Sequence, residues 1–177
     1  MFRKLKITEM HRLSLDEFQA AMKQPLVVVL DSVRSLYNVG SVFRTCDAFR
    51  VEKLLLCGVT ATPPNVEIHK TALGAEDSVA WQHYDDALDA VNDLHSQGYT
   101  VLAIEQCEGS TMLPDFRPIA GHKYAMILGN EVHGVQQTVI DAADGCLEIP
   151  QYGTKHSLNV SVTAGIIIHH FALDALH

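Results

Sequence analysis

The sequence is short of the residues that would commit it to several familiar classes. Its 177 residues include four cysteines, Cys46, Cys57, Cys107 and Cys146, and they lie far apart. They form neither a C-x-x-C pair nor a zinc spacing, so they read as reduced, packed cysteines of a cytoplasmic protein. Charged residues make up 19% against 47% hydrophobic, which is a globular balance and not that of a disordered chain. No apolar run reaches the roughly 20 residues of a membrane span. The most apolar stretch, 160–176, is broken by Ser161, Thr163, His169 and His170, and reads as a buried helix. The amino terminus, MFRKLKITEMHRL, begins basic without an apolar run behind it, so no secretory signal is expected. No G-x-G-x-x-G occurs, which argues against a standard dinucleotide site. Ten histidines suggest no metal: His169 and His170 are adjacent and diverge by about 100° on a helix.

Positive charge is also scarce. Thirteen Lys and Arg face 21 Asp and Glu, a net charge of −8, which argues against a nucleic-acid partner. The charge is unevenly placed, however. Arg3, Lys4, Lys6 and Arg12 gather at the amino terminus, whereas Glu76, Asp77, Asp85, Asp86, Asp89 and Asp93 lie in the middle. Phosphate contacts need only a local basic face, so the total does not decide the matter.

What is present is a regular alternation. Ser14 to Glu17 fits a capping box for a short helix that stops before Pro25. Leu26 to Leu30 is a β-branched run suited to a strand buried on both faces, hence parallel. Asn38 can cap a helix running to about Phe49. Further strands are expected at 53–57, 79–84, 99–104, 124–128 and 146–149. Helices are expected at 66–73, 85–97, 136–143 and 157–176. Gln106 to Lys123 is the longest irregular stretch. The pattern predicts one α/β domain over 1–177, with a short amino-terminal extension over 1–24. Its sheet is mostly parallel with helices on both faces, and such sheets take ligands at the carboxyl ends of their strands.

Three polar segments fall at those ends. The first runs from Asn38 to Arg44, at a helix start. The second runs from Gly129 through Glu131 to Gly134 and Val135, where a P-loop would need Lys and Ser or Thr next and instead has Val135 and Gln136. The third runs from Ile149 through Ser157, Leu158 and Asn159 to Ser161, with Ser157 a natural helix cap. Taken singly, each has a plainer reading: a cap beside a surface cation, a tight turn, and another cap.

Taken together and in this order, the segments N-x-G-x-x-x-R, G-N-E-x-x-G-V and I-P-x-x-G-x-x-x-S-L-N-V-S resemble the SpoU–TrmH branch of the SPOUT methyltransferases. The resemblance runs from about Pro25 to the carboxyl end, and Lys70 to Ala75 also matches that branch's connecting segment. It implies an α/β fold with a carboxyl-terminal deep trefoil knot and a homodimer with sites near its interface. It also implies S-adenosylmethionine as cofactor, without a metal, and a ribose 2′-hydroxyl of tRNA or rRNA, guanosine favoured, as acceptor. By the same resemblance, Ile104, Gly129, Ile149 and Leu158 hold the cofactor. Arg44 is the catalytic arginine, and Asn38, Glu131, Ser157 and Asn159 orient it, the ribose and the loops. A guanidinium stays protonated, so Arg44 is expected to grip an RNA phosphate and stabilise developing alkoxide, and not to act as a base. Gln151 and Tyr152 stand where the branch commonly has Met, a departure bearing on pocket shape. No counterpart of the larger relatives' amino-terminal RNA-binding domain is expected in the first 25 residues, which leaves a short basic arm and Lys155 with His156 as candidate RNA contacts. A catalytically idle knotted protein that binds RNA or S-adenosylmethionine is the alternative.

Overall fold

A computed structural model of the chain describes residues 2–175. Helix α1 (Leu15–Ala20) begins at the expected box. Ser14 Oγ accepts from the Glu17 backbone N–H, and the Glu17 carboxylate accepts from Ser14 N at 2.7 Å. Strand β1 (Gln24–Asp31) follows and sits near the centre of the sheet. Its residues alternate between two cores. Val28 and Leu30 pack with Val39, Val42 and Phe43 of α2 (Leu36–Ala48) and with Ile167 and Ile168 of α7 (Val160–Ala175). Val27 and Val29 pack with Ala90, Val91 and Leu94 of α5 (Ala87–Ser96) and Val139 of α6 (Gln137–Ala142). Each buried valine, leucine, isoleucine or phenylalanine among these contributes about 1.5–3 kcal/mol. Both faces of β1 are therefore covered, as a parallel strand requires.

The remaining strands are β2 (Val51–Cys57), β3 (Trp81–Tyr84), β4 (Thr100–Ile104), β5 (Thr111–Met112), β6 (Tyr124–Leu128) and β7 (Gly145–Glu148). The sheet order is β3-β2-β1-β6-β4-β7-β5, and every pairing is parallel. Helix α3 (Val66–Ala72) starts on the Asn65 side chain, and α4 (Ala75–Ser78) leads to β3. No helix among the described residues is long and apolar enough to cross a membrane.

Three local expectations need correction. Ser35, not Asn38, caps α2: its Oγ accepts from Asn38 N at 3.3 Å, which puts Asn38 inside the first turn. The last helix begins at Val160, not Ser157. Asn159 takes the capping role, its Oδ1 accepting from Ser161 N at 2.9 Å. In both cases a serine and an asparagine compete for one cap, and tertiary contacts decide between them. Finally, 106–123 is not wholly irregular. Thr111 and Met112 pair with Leu147 and Glu148 as an edge strand too short to leave a pattern. Leu176, assigned to the last helix, lies outside the described residues.

Candidate functional site

The carboxyl ends of β6, β4 and β7 are neighbours in the sheet, and the loops leaving them enclose a cavity of about 640 Å³. Ile104, Gly129, Ile149 and Leu158 all line it, as do Glu131, Ser157 and Asn159. Seven of the nine residues singled out in the sequence thus meet at one place. The floor is apolar, built from strand ends such as Ile104, Leu128 and Leu147. The rim is polar and comes from the turn 129–134 and the loop 151–159.

Gly129 shows why glycine stands at the end of β6. A Cβ there would lie 2.0 Å from the Gly134 carbonyl carbon and 2.1 Å from Val135 N. The turn folds back on itself so closely that main chain, and not side chain, forms this wall. Asn130 N donates to Gly134 O at 3.1 Å, and Gly134 N returns the bond at 2.9 Å. The Asn130 side chain accepts from Val132 N at 2.7 Å and donates to Ser32 O at 3.0 Å, tying the turn to the end of β1.

Asn38 does not line the cavity but links its rim. Its Nδ2 donates to Glu131 Oε1 at 3.1 Å, and its Oδ1 accepts from Asn159 Nδ2 at 3.1 Å. Glu131 also accepts from the backbone N–H groups of Arg34 and Ser35, each at 3.2 Å. One carboxylate therefore satisfies free donors at the start of α2. Partial burial by itself would raise the Glu131 pKa. The hydrogen bonds from its own N–H, Arg34, Asn38 and Ser35 together outweigh that and hold it below its ordinary value.

Arg44 is placed elsewhere. It is exposed and lines a separate hollow of about 450 Å³ with Ser41, Thr45, Ala48, Phe49, Lys70 and Thr71. Six residues separate it from Asn38, which carries it about 9 Å along α2 and roughly 120° around the axis. The expected convergence of Arg44 with Gly129, Ile149 and Leu158 is not met within one protomer. Several lining residues were missed, among them the polar pair Glu105 and Gln106. These two directly follow Ile104, so the signal was the same polar strand end that flagged the other segments.

Residues 25–169 match the sequence model of the SpoU rRNA Methylase family. The tRNA (guanosine(18)-2′-O)-methyltransferase of Thermus thermophilus is 32% identical over 162 residues, covering 91% of this chain and 81% of that protein. The 23S rRNA (guanosine-2′-O-)-methyltransferase of Neisseria meningitidis is 26% identical over 86% of this chain, which spans 60% of the relative's length. Among solved structures, the Aquifex aeolicus TrmH/SpoU tRNA modifying enzyme superposes with a TM-score of 0.80 at 24% identity, covering 90% of this chain and 81% of that one. The strand order, the cavity and the three linked loops thus carry a sequence match over most of the chain, and the protein belongs to the SpoU rRNA Methylase family.

Proposed function

We propose that the protein transfers a methyl group from S-adenosylmethionine to a ribose 2′-hydroxyl of tRNA or rRNA. The observation that carries this reading is the joining of all three motif segments through Asn38, Glu131 and Asn159 at the rim of one cavity. The cavity suits the cofactor. Its volume falls within the range of small-molecule sites, about 300–1,000 Å³. Its walls offer main chain at Gly129 and apolar contact at Ile104, Ile149 and Leu158, which fit an adenine and a ribose.

S-adenosylmethionine, when bound, supplies a methyl carbon already activated by a sulfonium charge. What remains for the protein is to place the acceptor oxygen in line, an effect worth up to about 7–11 kcal/mol in favourable cases. We assign Glu131, with Asn38 and Asn159, to holding the loops in that geometry, and Ser157 to orienting the ribose. Arg44 grips an RNA phosphate and stabilises the developing alkoxide, and the hydroxyl proton passes to bulk water.

The distance of Arg44 from its own cavity supports a homodimer in which a second copy supplies this residue. Helix α7 packs against α2 and exposes Val162, Ile166 and Leu173, an apolar stripe at helical spacing. Phe49, in the Arg44 hollow, meets His169 of α7 edge to face at 5.9 Å. A second copy seated on α7 would therefore lie beside Arg44. We also take the carboxyl-terminal part to be threaded as the trefoil knot of this family, and the whole chain to act as a single cytoplasmic domain. Family membership and the place of β7 between β4 and β5 support the knot.

The relatives' named substrates, guanosines in tRNA and 23S rRNA, favour guanosine as the nucleotide. Mass spectrometry of nucleosides from cells with and without the protein tests this directly. Loss of one 2′-O-methylated nucleoside, restored by the purified protein and S-adenosylmethionine on the isolated RNA, is the expected result. Unchanged 2′-O-methylation in every RNA class would sink the reading.

A further inference from the structure

One side of the cavity is bounded by two residues to which the chemistry above gives no task. Glu105 and Gln106 follow Ile104 at the carboxyl end of β4, where the chain leaves the sheet on its way to β5. Glu105 Oε2 accepts from Val135 N at 3.1 Å, and its Oε1 accepts from Gln106 N at 2.9 Å. Gly134, next to Val135, has a φ of +66°, and a Cβ there would stand 2.0 Å from Glu105 Oε2. The turn thus lacks a side chain where the carboxylate sits.

Gln106 reaches the other way. Its Nε2 donates to the His156 carbonyl at 2.7 Å. Among the described residues, no other hydrogen bond ties the segment 150–158 to the rest of the chain. That segment carries Ser157 and Leu158, both on the cavity wall. Two consecutive side chains therefore hold the two loops that face each other across the cavity.

We propose that Glu105 and Gln106 are positioning residues that set cofactor affinity by holding the 129–135 turn and the 150–158 loop in their ligand-ready places. The inference rests on the S-adenosylmethionine reading of the cavity. The physical reason is preorganisation: a loop already tied down loses less freedom when a ligand arrives. Neither residue needs to touch the reacting atoms, so binding should suffer more than the transfer step.

The test compares Gln106→Ala, Glu105→Ala and Glu105→Gln with the unaltered protein. Calorimetry with S-adenosylmethionine and with S-adenosylhomocysteine reads affinity, melting reads folding, and methyl transfer to bulk RNA reads KM and kcat. Loss of one hydrogen bond should weaken cofactor binding by about tenfold in Gln106→Ala and in Glu105→Ala. KM for the cofactor should rise by the same factor, with kcat at saturation and the melting temperature nearly unchanged. Glu105→Gln should recover most of the affinity, because an amide oxygen still accepts from Val135 N. Unchanged affinity in Gln106→Ala, a fall in kcat at constant KM, or a Glu105→Gln variant as weak as Glu105→Ala would each overturn the proposal. Failure of the unaltered protein to bind either compound would sink the methyl-transfer reading, and this inference with it.

Discussion

Asn38 and Glu131 stand 93 positions apart in the chain and 3.1 Å apart in space, amide nitrogen to carboxylate oxygen. The amide's other end accepts from Asn159, a further 28 positions on. A single side chain on α2 thereby registers the turn after β6 against the start of α7. Asn38→Ala removes both links and should lower kcat/KM for methyl transfer by about tenfold, equivalent to ~1.4 kcal/mol. Asn38→Asp should do more damage, because it replaces a donor with a second negative charge facing Glu131. Transfer of tritiated methyl groups to RNA under kcat/KM conditions measures both. An aspartate variant as active as the unaltered protein would remove Asn38 from the machinery.

Arg44→Ala should abolish transfer while leaving S-adenosylmethionine affinity intact, since the group assigned to Arg44 is an RNA phosphate and not the cofactor. Arg44→Lys keeps charge but not the bidentate fork, and should retain little activity. Sharing of the site between two copies makes a sharper forecast. Leu158→Lys sets a cation in the cavity and should block a sulfonium ligand. Dimers formed from equal amounts of Arg44→Ala and Leu158→Lys subunits should regain about a quarter of the normal rate, since half are mixed and each mixed dimer has one complete site. Mixtures with no regained activity would contradict the shared site.

Two glycines are held by backbone neighbours and not by their own conformation. A Cβ at Gly40 would lie 2.3 Å from the Ile68 carbonyl oxygen, and one at Gly129 would lie 2.0 Å from the Gly134 carbonyl carbon. Gly40→Ala and Gly129→Ala should each destabilise the fold by about 1–3 kcal/mol. Thermal melting checks this. Gly129→Ala should in addition weaken cofactor binding, whereas Gly40→Ala, at the contact of α2 with α3, should not do so directly.

The lowered pKa of Glu131 makes stability depend on acidity. Partial burial opposes the shift, and hydrogen bonds from its own N–H, Arg34, Asn38 and Ser35 outweigh it. The sign follows from linkage: the contribution is fully present above the ordinary carboxyl value of 4.5 and is lost as the pH falls through the lower folded value. Glu131→Gln should therefore flatten the acid limb of the stability curve. Urea unfolding at steps between about pH 7 and pH 3 reads it. An unaltered acid limb in the variant would mean that other carboxylates account for it.

Cys46 and Cys57 are buried in the two cores, and burial pushes both thiols up, Cys57 to about 12. At pH 8 neither should react with a thiol reagent while the protein is folded, and both should react once denaturant is added. Timed absorbance with an aromatic disulfide reagent distinguishes the two states. Rapid labelling of Cys57 in the folded protein would place it at the surface.

Much of this molecule was legible in the order of its residues. The β-branched run at 26–30, the alternation of strand and helix, and the Ser14 capping box depend on short-range periodicity and local hydrogen bonding, and they stand as read. So do the polar segments at strand ends, because parallel sheets put ligands there whatever the details. The sequence alone therefore determined the α/β class, and its resemblance to the SpoU–TrmH branch named the seven residues that meet at the cavity. It did not determine which of Ser35 and Asn38 caps α2, or which of Ser157 and Asn159 begins α7. Both members of each pair can cap, and the choice follows from distant partners: Glu131 and Asn159 engage the Asn38 side chain and leave the cap to Ser35. Nor did it place Arg44. Which way a helical side chain faces relative to a cavity depends on where the helix begins and how it packs. The tertiary structure settled both and turned Arg44 away from its own protomer's cavity toward the hollow beside α7.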